Sequence, residues 1–130
     1  MFKTIMIQTH SRSEILDITS EVYKAVEESK QKEGFCHIFV PHTTTGITIN
    51  ENADPNVKVD ILKELNKIIP FEDDYHHLEG NSAAHIKSSL IGSSVMVIIE
   101  NGQLKLGTWQ GIFLCEFDGP RLRKAWIKII

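Results

Sequence analysis

The sequence predicts an α+β fold with a largely antiparallel sheet and three helices. Three observations lead to this prediction. Short runs rich in Ile, Val and Thr have the length of strands, three segments carry helix caps or helical spacing, and Asn101-Gly102 is a hairpin turn signal. With 130 residues, of which 42% are hydrophobic and 24% charged, the chain is expected to form one domain over residues 1–130 with a single sizeable core.

The first half of the chain is predicted to contain four strands and one helix. The strands are predicted over residues 2–9, 14–18, 35–40 and 46–50. Asp17 and Thr19 are both suitable N-caps for a helix over residues 20–30. Within it, Val22 and Val26 lie four residues apart and form one apolar stripe.

The second half is predicted to contain two helices followed by four strands. Asp54 and Pro55 begin the first of these helices, as a capping carboxylate and a proline at the first helical position. Asn81 or Ser82 caps the next one. The strands are predicted over residues 94–99, 103–106, 109–117 and 122–130, with Trp109 in the core. The complete order is ββαββααββββ.

Two polar stretches between apolar runs, residues 39–55 and 75–85, carry most of the groups capable of chemistry. They contribute three histidines from separate segments, His42, His77 and His85. Three imidazoles commonly hold a catalytic metal and leave one position open for water or substrate. We therefore expect the two stretches to meet and the three histidines to bind a divalent cation, zinc or magnesium. The alternative is that each is a hydrogen-bonded structural group, since their spacing matches no compact metal signature.

The same stretches carry carboxylates that could act with the histidines. Glu51 lies at the end of a predicted strand, and Asp54 precedes Pro55. A carboxylate near imidazoles can hold a cation, act as a base or orient a histidine ring. Capping of the next helix would by itself explain Asp54. The residues for which we expect catalytic roles are His42, Glu51, Asp54 and His85.

Two features favour binding of a phosphorylated small molecule. Free amides at the start of a helix form an anion site, which residues 80–82 would provide. Period two places Arg121 and Arg123 on one face of the last strand, where paired guanidinium groups suit a phosphate. The alternative for these arginines is a solvated face or an ion pair with Glu116. The residues expected to bind phosphate are Asn50, Gly80, Asn81, Ser82 and Arg121.

Four runs of the sequence resemble the signature of the YjbQ-like family, also called the secondary thiamine-phosphate synthase family. They are PHTTTGITINENADP at 41–55, HLEGNSAAHIK at 77–87, GTWQG at 107–111 and EFDGPR at 116–121. The runs are long and specific, and the match extends in order over nearly the whole chain. The resemblance implies an α+β fold of the order given above and a homotrimer with sheets packed around a threefold axis.

The resemblance also implies a thiamine-phosphate synthase activity, weak or secondary to another one. That transferase reaction joins a pyrimidine methyl diphosphate to a thiazole phosphate and releases pyrophosphate. Loss of a diphosphate requires a cation or cationic side chains to stabilise the developing charge. Two alternatives stay open: a metal-dependent hydrolase of a small phosphorylated metabolite, and a non-enzymatic trimer that binds a small anion.

Charge and hydropathy argue against two classes of partner. The net charge of -3 gives no general attraction to nucleic acid or anionic membranes, and aromatic residues do not alternate with a basic stripe. The apolar runs are too short to span a bilayer, and no basic segment followed by a long apolar run begins the chain. Cys36 and Cys115 lie far apart inside apolar runs, as expected of free thiols in the cytoplasm.

Overall fold

A computed structural model describes all residues, 1–130, which form eight strands and three helices. The strands of the first half are β1 (Phe2–Gln8), β2 (Glu14–Asp17), β3 (Gly34–Phe39) and β4 (Thr45–Glu51). The strands of the second half are β5 (Ser94–Glu100), β6 (Gln103–Leu104), β7 (Gln110–Glu116) and β8 (Leu122–Ile129). The helices are α1 (Thr19–Ser29), α2 (Pro55–Ile68) and α3 (Ser82–Ile91). None of the three has the length and apolarity needed to cross a membrane.

The strands form two antiparallel sheets, where the sequence predicted one. The larger sheet has the order β1-β8-β3-β5-β6, and the smaller has the order β2-β7-β4. Strands that are neighbours in a sheet are often distant along the chain: β1 pairs with β8, so that Phe2 lies opposite Lys128. The α+β class with antiparallel strands and three helices is confirmed. The division into two sheets depends on pairing between distant segments, which no local pattern specifies.

Two hydrophobic clusters lie on the two faces of the smaller sheet. The principal core holds 18 buried residues from both sheets and α1, and a second cluster holds 6 buried residues against α2 and α3. Strand β7 is central. Its Ile112 and Leu114 point into the first cluster, and its Phe113 and Cys115 point into the second. Because both faces of β7 are covered, its sequence is a continuous apolar run rather than an alternating one.

Helix caps agree with the sequence prediction at α2 and differ from it at α1. The Asp54 carboxylate accepts a hydrogen bond from the N–H of Asn56 at 2.9 Å, as predicted. The residue at the cap position of α1 is Ile18, which has no capping side chain. The Asp17 carboxylate instead accepts a hydrogen bond from the N–H of Thr19 at 2.9 Å, and so satisfies one amide at the start of the helix.

The hairpin between β5 and β6 follows the prediction, and the segment after it does not. Asn101 and Gly102 have φ values of 54° and 76°, the left-handed conformations that a two-residue hairpin turn requires. The returning strand β6 has 2 residues rather than the 4 predicted. Trp109 was expected in the core, but it precedes β7 and is 63% exposed.

One face of the larger sheet packs on the core and the other is bare. Along β8 the side chains alternate between buried and exposed. The exposed positions of this outer face include many large apolar side chains, namely Phe2, Met6, Phe35, Met96, Ile98 and Trp126. An exposed apolar surface of this kind is typical of an interface with another protein surface.

Candidate functional site

The loop between β3 and β4, residues 41–44, lies against helix α3. The hydroxyl of Ser88 donates a hydrogen bond to the carbonyl oxygen of Thr43 at 2.5 Å. Gly46 allows the helix to approach β4 closely, since a Cβ at that position would lie 2.8 Å from Cγ2 of Ile91. This packing fixes α3 against the start of β4.

As a result, the three predicted histidines lie around one cleft. His42 and His85 line the same cavity, of about 370 Å³, which we call the polar cavity. His77, from the loop before α3, contacts His85: the ring centroids are 5.3 Å apart and the ring planes make an angle of 81°. The structure therefore brings His42 together with two imidazoles, His77 and His85, that lie more than 30 residues later in the sequence.

A second cavity, the arginine hollow, has a volume of about 290 Å³ and shares Thr43 and His85 with the polar cavity. Its other lining residues are Thr44, His77, Glu79, Asn81, Asp118 and Arg121. The Asp118 carboxylate accepts hydrogen bonds from Nδ2 of Asn81 at 2.9 Å and from Nη2 of Arg121 at 3.1 Å. Nε of Arg121 donates to the Asp118 carbonyl oxygen at 2.8 Å. Two of the five N–H groups of Arg121 are thus engaged, which leaves three for a ligand.

The other residues predicted to bind phosphate near α3 lie at or beside the arginine hollow. Asn81 holds the cap position of α3, but its side chain bonds to Asp118 instead of capping, and its Oδ1 is buried without a hydrogen-bond partner. Ser82 lines a third, more open hollow of about 490 Å³ together with His77 and His85. Gly80 is exposed in the loop before the helix, with a left-handed φ of 77°.

His42 is held in its neutral form, with Nε2 as a hydrogen-bond acceptor and Nδ1 as a donor. Its Nε2 accepts a hydrogen bond from the N–H of Lys124 at 2.9 Å. Burial lowers the pKa of His42, and the positive charge of Arg123 lowers it further. A neutral imidazole that accepts at Nε2 carries its proton on Nδ1. His42 therefore has one N–H group to offer a ligand in the polar cavity.

The donor groups do not fit a metal ion within one chain. No group of three or more His, Cys, Asp or Glu side chains lies close enough to hold one. Nε2 of His42 already accepts a hydrogen bond from the N–H of Lys124 and is not free to bind a metal. The rings of His77 and His85 contact each other, but they supply only two ligands. The predicted divalent cation has no ready three-ligand site here, and we assign no catalytic step to it.

Asn50, Glu51 and Asp54 lie at the opposite end of β4 from the histidines. Strand β4 is continuous from Thr45 onwards, and six extended residues span about 20 Å. Glu51 lies opposite Gln110, and Asp54 caps α2. This corrects the expectation that Glu51 and Asp54 act with the histidines, and Asn50 with the phosphate, inside one chain. A continuous strand necessarily separates the residues at its two ends.

Arg123 also differs from the sequence prediction, because it is buried and does not share a face with the exposed Arg121. It donates from Nε and Nη2 to the Glu116 carboxylate at 2.8 and 2.6 Å, and from Nη2 to the hydroxyl of Thr44 at 2.8 Å. Thr9 donates to the same carboxylate at 2.8 Å. This ion pair was the alternative interpretation of the arginines. The signal for it is a charged residue at an inward position of an alternating strand, near a glutamate that ends an apolar run.

Comparison with known proteins identifies the family. The family model described as UPF0047 protein YjbQ-like matches residues 3–130. The chain belongs to the YjbQ-like family. Among its members, the UPF0047 protein MJ1081 of Methanocaldococcus jannaschii is 58% identical over 124 residues, which are 95% of this chain and 90% of the relative. The UPF0047 protein YugU of Bacillus subtilis is 53% identical, with 100% and 99% of the two chains covered.

Solved structures of YjbQ-like proteins have the same fold. An uncharacterised YjbQ/UPF0047 family protein from Clostridium acetobutylicum superposes with a TM-score of 0.97 at 58% identity, over 98% of this chain and 99% of the other. A protein of unknown function from Sulfolobus solfataricus superposes with a TM-score of 0.95 at 35% identity, over 99% and 95% of the two chains. These likenesses establish the architecture, and none of the descriptions assigns a reaction.

Proposed function

We propose that the cleft around His85 is an active site for small phosphorylated compounds. The observation that carries this proposal is the arginine hollow, where Arg121 presents three uncommitted N–H groups beside the imidazoles of His77 and His85. A guanidinium group suits the oxygens of a phosphate because its N–H groups lie in one plane. Asp118 holds this guanidinium in place through its carboxylate and its carbonyl oxygen.

The reaction we propose first is of the thiamine-phosphate synthase type. In it, the bond between the methylene carbon of the pyrimidine and the diphosphate oxygen breaks, and the electron pair leaves on pyrophosphate. The thiazole nitrogen forms the new bond to that carbon. Arg121 would stabilise the charge that develops on the departing diphosphate, and His85 would transfer a proton to it. The zinc or magnesium ion expected from the sequence stays a prediction, to be tested by metal analysis of protein purified without a histidine tag.

Hydrolysis of a phosphate ester is the second candidate, favoured by the contact between His77 and His85. An imidazole oriented by a neighbouring side chain can accept a proton from an attacking water. A hydrolase releases inorganic phosphate from one substrate, whereas the transferase requires two organic substrates. If the protein binds pyrophosphate but converts no substrate, the third alternative applies, a non-enzymatic trimer that binds a small anion.

Substitution of His85 and Arg121 tests the active site. We expect His85→Gln to lower kcat about 10²-fold or more while pyrophosphate still binds, because the imidazole acts on the reacting groups. We expect Arg121→Gln to weaken pyrophosphate binding about 10-fold or more, because hydrogen bonds to a charged ligand are lost. The measurements are thiamine phosphate formation and calorimetric titration with pyrophosphate.

His10→Gln is the matched control for these variants, since His10 is exposed and lines none of the cavities around His85. Its rate and affinity should equal those of the wild type. If Arg121→Gln binds pyrophosphate as tightly as the wild type does, the proposed phosphate site is wrong. An unchanged rate in His85→Gln would remove the role of the imidazole.

We also propose that the protein is a cytoplasmic homotrimer. The support for self-association is the bare apolar face of the larger sheet, and threefold symmetry is what the family resemblance implies. The support for the cytoplasm is that Cys36 and Cys115 are both free and buried.

Placing a charge on the bare sheet face tests the trimer. We expect Ile98→Glu to convert the trimer into monomers, because a carboxylate would then be buried without a partner between copies. Light scattering coupled to size exclusion gives the mass of each species. Val59→Glu, at an exposed apolar position of α2, is the matched control and should stay trimeric. A monomeric wild type, or a trimeric Ile98→Glu, would contradict this assignment of the sheet face.

A further inference from the structure

The polar cavity has an unusual lining for a cavity of about 370 Å³. No hydrophobic side chain contributes to it; its walls are two imidazoles, five hydroxyl-bearing residues and one glycine. Sites for aromatic or aliphatic ligands are lined mainly by apolar side chains, with only a few polar groups. Seven of the eight lining residues therefore carry a side chain that can form hydrogen bonds, and none is an aliphatic or aromatic hydrocarbon.

The hydroxyl of Thr45 is the feature of this cavity that points to a ligand. Thr45 is 1% exposed, and its Oγ1 has no hydrogen-bond partner. Two other hydroxyl groups of the cavity have hydrogen-bond partners within the protein. Ser88 donates to the carbonyl oxygen of Thr43, and Ser89 donates to the carbonyl oxygen of His85. A buried hydroxyl without a partner is costly. Oγ1 of Thr45 is closed off from solvent in the free protein, so a small rotation of the side chain toward the cavity would bring it to a ligand group that both donates and accepts hydrogen bonds.

The polar cavity lies next to the arginine hollow. Thr43 and His85 line both, so a ligand with its phosphate beside Arg121 would extend past them into the polar cavity. There it would meet the N–H of His42, which remains free because Nε2 accepts from Lys124. From the arginine hollow into the polar cavity, a ligand would thus meet a guanidinium group, then an imidazole and then several hydroxyls.

We infer that the principal ligand of this site is the phosphate ester of a small polyhydroxylated compound, a polyol or sugar phosphate. This inference rests on the proposed phosphate site and names its substrate class. The phosphate would bind at Arg121, and the hydroxyls of the ligand would bond to Thr45 and His42. The two heteroaromatic substrates of the synthase reaction would find no hydrophobic side chain in the polar cavity to pack against.

Calorimetric titration of the wild type with three ligands tests the inference. The ligands are inorganic phosphate, ribose 5-phosphate and phenyl phosphate. We expect ribose 5-phosphate to bind about 10-fold more tightly than inorganic phosphate, since it adds several hydrogen bonds in the polar cavity. We expect phenyl phosphate to bind no more tightly than inorganic phosphate.

Thr45→Val keeps the shape of the side chain and removes only its hydroxyl. We expect this variant to lose about 5- to 10-fold in affinity for ribose 5-phosphate and nothing for inorganic phosphate. Its thermal stability should not fall, because the hydroxyl has no partner in the free protein. Thr45→Ser restores a hydroxyl and should recover the wild-type preference. Thr48→Val, on the same strand and lining none of these cavities, should leave both affinities unchanged.

The outcomes separate this inference from the proposed function. If inorganic phosphate and pyrophosphate do not bind to the wild type, both fail together. If they bind but ribose 5-phosphate gains nothing over inorganic phosphate, the polyol inference fails and the phosphate site stands. Tighter binding of phenyl phosphate than of ribose 5-phosphate, or an equal loss of both ligands in Thr45→Val, would also overturn it.

Discussion

Replacing Arg123 by methionine is expected to lower the free energy of unfolding by about 3–5 kcal/mol. The Glu116 carboxylate is 0% exposed and Arg123 is 5% exposed, so neither group can turn to water. Without the guanidinium, the carboxylate keeps only the hydroxyl of Thr9 and the N–H groups of Phe117 and Asp118. A buried negative charge would then lack a positive partner, and this is the main source of the loss. Urea denaturation at neutral pH gives the value.

Two further variants show whether burial is the cause. Arg121→Met breaks the exposed pair between Arg121 and Asp118, and it should cost less than about 1 kcal/mol. The double variant Glu116→Gln with Arg123→Met removes both charges and should recover much of the stability lost in Arg123→Met alone. Equal losses in Arg121→Met and Arg123→Met would show that the buried pair contributes no more than a surface pair.

Local chemistry explains which parts of the fold the sequence predicts well. The turn at Asn101-Gly102 and the cap at Asp54 depend on residues within a few positions of one another, and both occur where they were predicted. The pairing of β1 with β8, and the separation of β2, β4 and β7 into their own sheet, depend on contacts across most of the chain. No period of two or of 3.6 residues contains that information.

The candidate site shows the same division between local and distant information. His42 and His85 are recognisable because they lie in dense polar stretches, and the fold brings both to the polar cavity. Glu51 and Asp54 lie in the same polar stretch as His42, but β4 places them at its far end. A cluster of polar residues along the sequence does not show which of them lie close together after folding. The unpartnered hydroxyl of Thr45 cannot be read from sequence at all. It depends on which groups surround that side chain after folding.

Lys87 gives the second prediction with a large effect, because its ammonium group is buried without a carboxylate partner. Lys87 is 0% exposed; its Nζ donates to Oδ1 of Asn66 at 2.6 Å and lies 3.7 Å from the centroid of the Phe71 ring. Burial lowers the pKa of Lys87 from its ordinary value of 10.5 to about 8, and the positive charge of Arg12 adds to this effect. The guanidinium of Arg12 lies over the same ring, at 3.8 Å.

The lowered pKa of Lys87 predicts a rise in stability at alkaline pH. Below pH 8 the lysine is protonated in both the folded and the unfolded chain. Between pH 8 and 10.5 the unfolded chain keeps a proton that the folded chain has lost, so the free energy of unfolding increases with pH. At about 1.4 kcal/mol for each pH unit of difference, the whole window corresponds to roughly 3 kcal/mol.

Lys87→Met should abolish this rise, because methionine fills a similar volume and has no proton to lose. The measurement is the free energy of unfolding in urea at several pH values from 7.5 to 10.5, taken as the difference between the wild type and the variant. Contributions that are common to the two proteins cancel in that difference. Lys67→Met, at an exposed position of α2, is the control and should give a curve parallel to that of the wild type. If the curve of Lys87→Met is parallel as well, the ammonium group reaches water in solution, and the packing of α3 against Phe71 is looser than the structure describes.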